Sequence, residues 1–322
     1  MNISNLMNKA YFDIIRPGIH STLQDLGRNN QYHIGIPFSG SMDKRNYLIS
    51  NKLLGNKLNE CSLEFAYQGP LMKFNFGQVS AVITGNVTFN IIRKNSEIDK
   101  GICYQTFILN DGDKLDIIST NRSVYGYLSI KNGFVGEYIW NSCSVNTKAK
   151  IGSNNGEKFG VNQKVYLNEN KSLSGLRKIN YSNSKIEYIR VLKSTNFDYF
   201  SNSAKKIFFR EKFQVTKLTD RMGMRIQGQK LENIIESNIK SEGLVKGVIQ
   251  VPSDGNPIIM FSDHGTIGGY PKIANVITAD FDKLVQIIPG SNIKFQEVSL
   301  EDAEKLFKFY NLETNNLINQ IS

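Results

Sequence analysis

Residues 247–290, GVIQVPSDGNPIIMFSDHGTIGGYPKIANVITADFDKLVQIIPG, carry the densest structural signal in the chain. Two short apolar runs, 248–251 and 258–261, flank Ser253-Asp254-Gly255-Asn256-Pro257. That composition predicts a strand, a turn and a second strand. The hairpin delivers Asp263, His264 and Thr266 to its exit, followed by Gly268-Gly269-Tyr270-Pro271. Paired glycines belong where φ is positive or where another group approaches the backbone closely, and Pro271 stiffens the way out. A site built on a rigid hairpin and a tight bend capped by its own Asp and Thr fit these residues equally.

Working outward, 322 residues are enough for a sizeable core and favour two domains, because single cores seldom grow past roughly 250–300 residues. Hydrophobic residues at 40% and charged residues at 21% exclude a disordered chain. A net charge of +10 raises the question of nucleic acid. The lysines are scattered, however, with no Lys/Arg-rich run of the kind that forms a phosphate stripe, so no nucleic-acid partner is expected. Cys61, Cys103 and Cys143 lie far apart with no CxxC pair, which indicates neither a zinc knuckle nor a disulfide framework, and no metal ligands are expected. Neither a signal h-region nor a run of 18 apolar residues is present, so the expected location is the cytoplasm, away from membranes. The absence of GxxxxGK[ST] and HExxH excludes a P-loop ATPase and a zincin.

Toward the N-terminus, Gln24, Asp25 and Arg28 form a close-set polar cluster that suits a ligand or a surface ion pair. Asp43 precedes a helical pattern ending at Gly55-Asn56 and reads as its N-cap; such a helix end also suits an anion. From Leu63 the pattern turns to strands: Val79, Ala81 and Ile83 alternate, as do Val87, Phe89 and Ile91, with further runs at 104–109, 115–118, 125–130 and 165–167. The polar segment 168–183 is the linker candidate. Beyond it, strands are expected at 186–192 and from Phe213. In 219–226, alternation places Met222, Met224 and Ile226 on one face and Arg221, Gly223 and Arg225 on the other. Two guanidinium forks beside a glycine can grip a carboxylate or phosphate, and a solvated strand face gives the same pattern. Runs 284–288 and 293–298 read as strands around Pro289-Gly290-Ser291-Asn292. Ser299 then caps a last helix with Leu306, Phe309 and Tyr310 on one side and a polar tail that frays beyond Leu312.

Five motifs in order, GIPFSGSMD, SNKLLGN, LEFAYQGP, TDRMGMRIQG and the 247–280 stretch, resemble the allophanate hydrolase subunit 2 family, also described as the biotin-dependent carboxyltransferase domain. The resemblance spans about residues 15–303. It implies a mainly β fold, two cyclophilin-like β-barrel domains in series with a few short helices, divided here as 12–180 and 185–304 with a C-terminal helix and tail at 305–322. The family includes the C subunit of bacterial 5-oxoprolinase, which implies opening of the 5-oxoproline lactam to glutamate with ATP and Mg, a close B-like partner subunit and a third, A-like one. The alternatives it implies are a urea carboxylase component served by biotin on a separate carrier, and a regulatory protein that antagonises a kinase inhibitor. Carried over motif by motif, Asp263 and Tyr270 are the expected catalytic residues, with Arg221, Arg225, Thr266, Gln24, Asp25, Arg28 and Asp43 binding substrate or anions. Asn86, Asn132 and Asn141 stand where the family keeps small residues, which puts the first barrel's share of a site in doubt.

Overall fold

The computed structural model describes residues 9–169, 173–183, 187–236 and 238–321. The protein is mostly β, with 34% strand and 19% helix, as the alternation patterns require. It divides into two compact units, and the division is not sequential: residues up to Arg28, Ser39–Ser182 and those from Asn315 on make the first unit, while Asn29–Phe38 and Asn183–Thr314 make the second. The cuts therefore depart from the sequence-based division in two places. Ten residues, 29–38, leave the first barrel's sequence, and the C-terminal helix is shared by segment.

The first unit contains β1 (Tyr11–Arg16), β2 (His20–Gln24), α1 (Lys44–Leu53), β3 (Ser62–Ala66), β4 (Leu71–Asn75), β5 (Gln78–Thr84), β6 (Val87–Ile92), β7 (Ile98–Lys100), β8 (Phe107–Asn110), β9 (Lys114–Thr120), β10 (Tyr125–Ile130), a single irregular turn α2 (Ser153–Gly156) and β11 (Lys164–Tyr166). They form a six-stranded sheet, β11-β1-β4-β9-β6-β7, and a five-stranded sheet, β2-β3-β10-β5-β8. Phe12, Met72, Phe74 and Phe89 from the first sheet meet Leu63, Phe65, Ile83 and Leu128 from the second in one core. Successive strand residues face opposite ways. Val82 and Tyr127 accordingly point away from that core and pack under α1, against Ile49 and Leu53 and against Tyr47 and Leu48 respectively. The second sheet's central strands are thus covered on both faces, which is why β3 and β10 are buried at every position.

Asp43 caps α1 as expected, its Oδ1 accepting from Asn46 N at 3.0 Å, and Gly55 ends the helix with φ 63°. The polar segment after Asn168 is no free linker where described. Residues 173–182 belong to the first unit, with Thr106 N donating to Arg177 O. Asn132 and Asn141 both hold φ 63°. Asn is the side chain that best tolerates the left-handed region, so these departures preserve a glycine-like backbone.

The second unit contains β12 (Ile189–Lys193), α3 (Asn202–Arg210), β13 (Phe213–Thr219), β14 (Gly223–Gln227), β15 (Glu242–Gly243), β16 (Val248–Gln250), β17 (Ile258–Met260), β18 (Ile267–Gly268), β19 (Lys272–Val276), α4 (Thr278–Leu284), β20 (Asn292–Ile293), β21 (Phe295–Glu297) and α5 (Leu300–Gln320). Eight strands order as β20-β13-β14-β17-β16-β19-β12-β21. The two edge strands are separated in sequence by Lys294 alone, so the sheet curls almost shut on itself. The predicted hairpin is β16–β17, paired Ile249↔Ile259 and Gln250↔Ile258.

Three expectations in this unit are corrected. Residues 284–288 are not a strand: Leu284 ends α4, and Leu284 and Val285 bury as the helix closes. The tail beyond Leu312 does not fray, because α5 continues to Gln320. In the second unit Ala303 and Tyr310 of α5 pack with Ile277 and Ala279; in the first, Ile318 packs with Tyr47 and Tyr127. Arg221 and Arg225 do not share an open strand face. Asp220 Oδ1 accepts from Met222 N at 2.8 Å, forming a turn, so β14 begins only at Gly223 and the alternation shifts: Arg221 is buried, while Met222 and Arg225 face solvent.

Candidate functional site

The second unit's candidate site lies where β17 exits into residues 261–271. Phe261 N donates to Met222 O and Asp263 N to Arg221 O, which ties this segment to the turn before β14. The same register brings the Arg221 and Asp263 side chains together as a two-point fork: Nε to Oδ2 at 2.8 Å and Nη2 to Oδ1 at 3.2 Å. Both residues are nearly excluded from water, at 5% and 4% exposure. A charge-assisted bidentate pair in such a setting holds the carboxylate in one orientation.

His264 is buried beside it. Its Nδ1 lies 2.5 Å from Gly265 O; a carbonyl only accepts, so Nδ1 carries the proton. In the neutral ring Nε2 is then an acceptor, and Tyr32 donates its hydroxyl to it at 2.9 Å. Burial pushes the imidazole pKa down, against the opposing pull of Gly265 O and Asp263. Burial also raises the Tyr32 phenol to about 12, so it remains a donor at neutral pH. Tyr32 belongs to the 29–38 segment that the second unit takes from the N-terminal sequence.

From Thr266 to Gly269 the chain pairs with residues 239–244: Leu244 N donates to Thr266 O, Ile239 N to Gly269 O, and β15 aligns Glu242 with Gly268. Neither Gly268 nor Gly269 has positive φ; the two glycines serve close approach instead. A Cβ on Gly268 would sit 2.8 Å from Gln250 Nε2, which is held by Tyr270 O at 3.0 Å. Beyond the glycines, Lys272 is buried and pairs through Nζ with Glu242. Hydrogen bonding from Lys272 lowers the Glu242 pKa, with a further contribution from Asn196.

Of the expected residues in this unit, the fold brings Arg221, Asp263 and Thr266 into one buried segment. Tyr270 stands at its exposed end at 38% exposure, and Arg225 faces solvent on β14. His264 is legible in the sequence as part of the polar exit, whereas Tyr32, Lys272, Glu242 and Asn196 carry no motif of their own. Only the Gly-rich turns beside Tyr32 and Lys272 mark them.

The expected residues of the first unit form a separate arrangement. Asp25 is fully buried: Oδ1 accepts from Ser142 Oγ at 2.6 Å, Ser144 Oγ at 2.5 Å and Gly27 N at 2.8 Å, and Oδ2 from Cys143 N at 2.8 Å. Arg28 donates to Ser144 O, and Gln24 Nε2 to Val145 O at 2.9 Å. Asp43 is taken by its cap. Gln24, Asp25 and Arg28 are buried in a network that fastens residues 24–28 to 142–146, and Asp43 is buried at the start of α1. Glu64, which lies in the LEFAYQGP motif but is not among the expected site residues, is buried in β3 and accepts from Met42 N and Tyr127 Oη. Among the described residues no group of three or more His, Cys, Asp or Glu could hold a metal ion.

A β-rich chain in two units with this glycine-lined hairpin exit is of the carboxyltransferase-domain class. The model of the family described as carboxyltransferase domain, subdomain A and B, matches residues 34–297, and the chain belongs to that family. It is 33% identical over 297 residues to the 5-oxoprolinase C subunit of Haemophilus influenzae, covering 91% of this chain and 93% of that protein. To the protein of the same name from Escherichia coli it is 30% identical over 300 residues, covering 91% and 93%. The urea amidolyase structure from K. lactis superposes with a TM-score of 0.86 at 24% identity over 96% of this chain and 20% of that one, which establishes a shared fold. No helix among the described residues is long and apolar enough to cross a membrane.

The titration of His264 has a measurable consequence. Its folded pKa lies below the unfolded value of about 6.5. Between those two values the unfolded chain binds a proton that the native one does not, so stability rises with pH across that window and is lost as pH falls through it. The urea midpoint is expected to drop as pH is lowered below about 6.5. His264→Gln, which can still accept from Tyr32, is expected to flatten that slope.

Proposed function

We propose that this chain is the C-type subunit of an ATP-dependent 5-oxoprolinase, a hydrolase that opens the lactam of 5-oxoproline to glutamate together with B-like and A-like subunits. The observation that supports the reading is correspondence with two 5-oxoprolinase C subunits at 33% and 30% identity over 91% of this chain and 93% of each of them, whereas the urea amidolyase match covers only 20% of that longer chain. The reaction is set in the cytoplasm.

The chemistry divides among this chain's residues as follows. The guanidinium of Arg221 holds the Asp263 carboxylate in one orientation through both oxygens. Asp263 accepts the proton of the attacking water, and Tyr270 and Thr266 donate hydrogen bonds to the lactam carbonyl or ring carboxylate. Arg225, open to solvent, meets an anionic group. ATP supplies the activation that makes the lactam oxygen a leaving group. ATP and its Mg ion are assigned to the assembled complex as a whole, and no step is derived through them.

The test is 5-oxoproline-dependent ATP hydrolysis by the chain co-purified with its genomic neighbours, omitting one subunit at a time. Glutamate release that requires this chain supports the reading; a stable complex without turnover overturns it. Tyr270→Phe in the active complex is expected to lower turnover about tenfold, the worth of one hydrogen bond made in the transition state, and to leave the melting temperature unchanged because the side chain is partly exposed. The family's description as a carboxyltransferase domain favours a second reading, carboxyl transfer, for which biotin on a separate carrier and a urea-like acceptor are the proposed donor and acceptor. Binding of a biotinylated carrier by the complex, without 5-oxoproline turnover, distinguishes it.

A further inference from the structure

Cys61 and Cys143 lie 82 positions apart, yet the fold places their sulfurs 2.7 Å from each other in the first unit's core. Both residues are free thiols and fully buried. The separation is closer than two unbonded sulfurs rest and within a small side-chain adjustment of the roughly 2.05 Å of a disulfide bond. The surroundings fix both partners. Cys61 O accepts from Phe134 N, Cys143 N donates to Asp25 Oδ2, and a Cβ on Gly136 would lie 2.5 Å from Cys143 Cβ and 3.2 Å from Cys61 Sγ.

We infer that Cys61 and Cys143 are a disulfide-forming pair, joined when the chain folds in the presence of a low-molecular-weight disulfide such as glutathione disulfide. One cysteine thiolate attacks a glutathione sulfur, the glutathione disulfide bond breaks and one glutathione thiolate leaves. The second cysteine gives its proton to solvent and attacks the protein-bound sulfur, expelling the other glutathione thiolate. Two protein thiols are oxidised to one disulfide while glutathione disulfide is reduced to two glutathiones. The exchange belongs to folding because the finished core has no room for the mixed intermediate, and burial raises both thiols above their ordinary range. The bridge staples the start of β3 to the 142–146 segment that cradles Asp25. The same burial then shields it from reductants. Cys103, partly exposed and bonded through Sγ to Val87 O, takes no part.

The test is refolding of the full chain from denaturant with glutathione disulfide or with reduced glutathione, followed by denaturation, alkylation, intact mass and peptide mapping. Oxidative refolding is expected to give a chain lighter by two hydrogens, one alkylated cysteine at Cys103, native circular dichroism and a melting temperature about 5–10 °C above the reduced form. Cys103→Ser is expected to give the same bridge. Three alkylated cysteines after oxidative refolding, a bridge involving Cys103, or a bridged chain that no longer folds would each overturn the inference.

Discussion

Arg221→Ala is expected to destabilise the second unit by about 3–5 kcal/mol, the usual cost of leaving one member of a buried ion pair without its partner. Asp263 is 4% exposed and receives both arms of the Arg221 fork, so the truncated protein keeps a nearly buried carboxylate that has lost both of those bonds. The double variant Arg221→Met, Asp263→Leu is expected to recover most of that loss, since it removes both charges and fills the same volume. Thermal unfolding of the two variants checks this, with a fall of about 10 °C for the single substitution. An Arg221→Ala protein as stable as wild type would show that the pair does not form. Turnover measured on Arg221→Ala would therefore mix chemistry with unfolding. Arg221→Lys, which keeps the charge but not the fork, is the substitution for assays of activity.

That result bears on how far local sequence encodes this site. The β16–β17 hairpin was legible because a Ser-Asp-Gly-Asn-Pro turn between apolar runs has few other solutions. Asp43 announced α1 through its capping chemistry; Asn132 and Asn141 read in the sequence only as departures that put the site in doubt, and their φ of 63° came from the structure. Other elements lacked such a local cause. Residues 284–288 are apolar apart from Gln286 and suit a strand or a helix alike, and only the preceding helical turn of α4 decides the outcome. α3 has Ser201 as its cap, with Ala204 N donating to Ser201 Oγ at 3.0 Å, but a single serine in a Ser- and Asn-rich segment is no signal. Arg221 was placed on the wrong face because alternation counts correctly only inside a strand, and the Asp220 turn delays β14 to Gly223. The Tyr32–His264 contact joins residues 232 positions apart, and nothing local encodes it.

Asp25 is where expectation and structure diverge most, and a pair of substitutions separates the two roles. Each of its oxygens accepts from a backbone N–H, Gly27 N on Oδ1 and Cys143 N on Oδ2. In Asp25→Asn either orientation of the amide sets an NH2 against one of those N–H groups, so at least one buried donor goes unsatisfied. The serine hydroxyls can rotate to accept, but the backbone cannot. The expected cost is about 1–3 kcal/mol for Asn. For Asp25→Ala it is larger, about 3–5 kcal/mol, because every donor on both oxygens loses its acceptor at once. If Asp25 is a cradle post, activity in the assembled complex falls only in proportion to the fraction unfolded, and a lower assay temperature restores it. An Asp25→Asn protein that is fully folded by circular dichroism yet inactive at every temperature would return Asp25 to the chemistry.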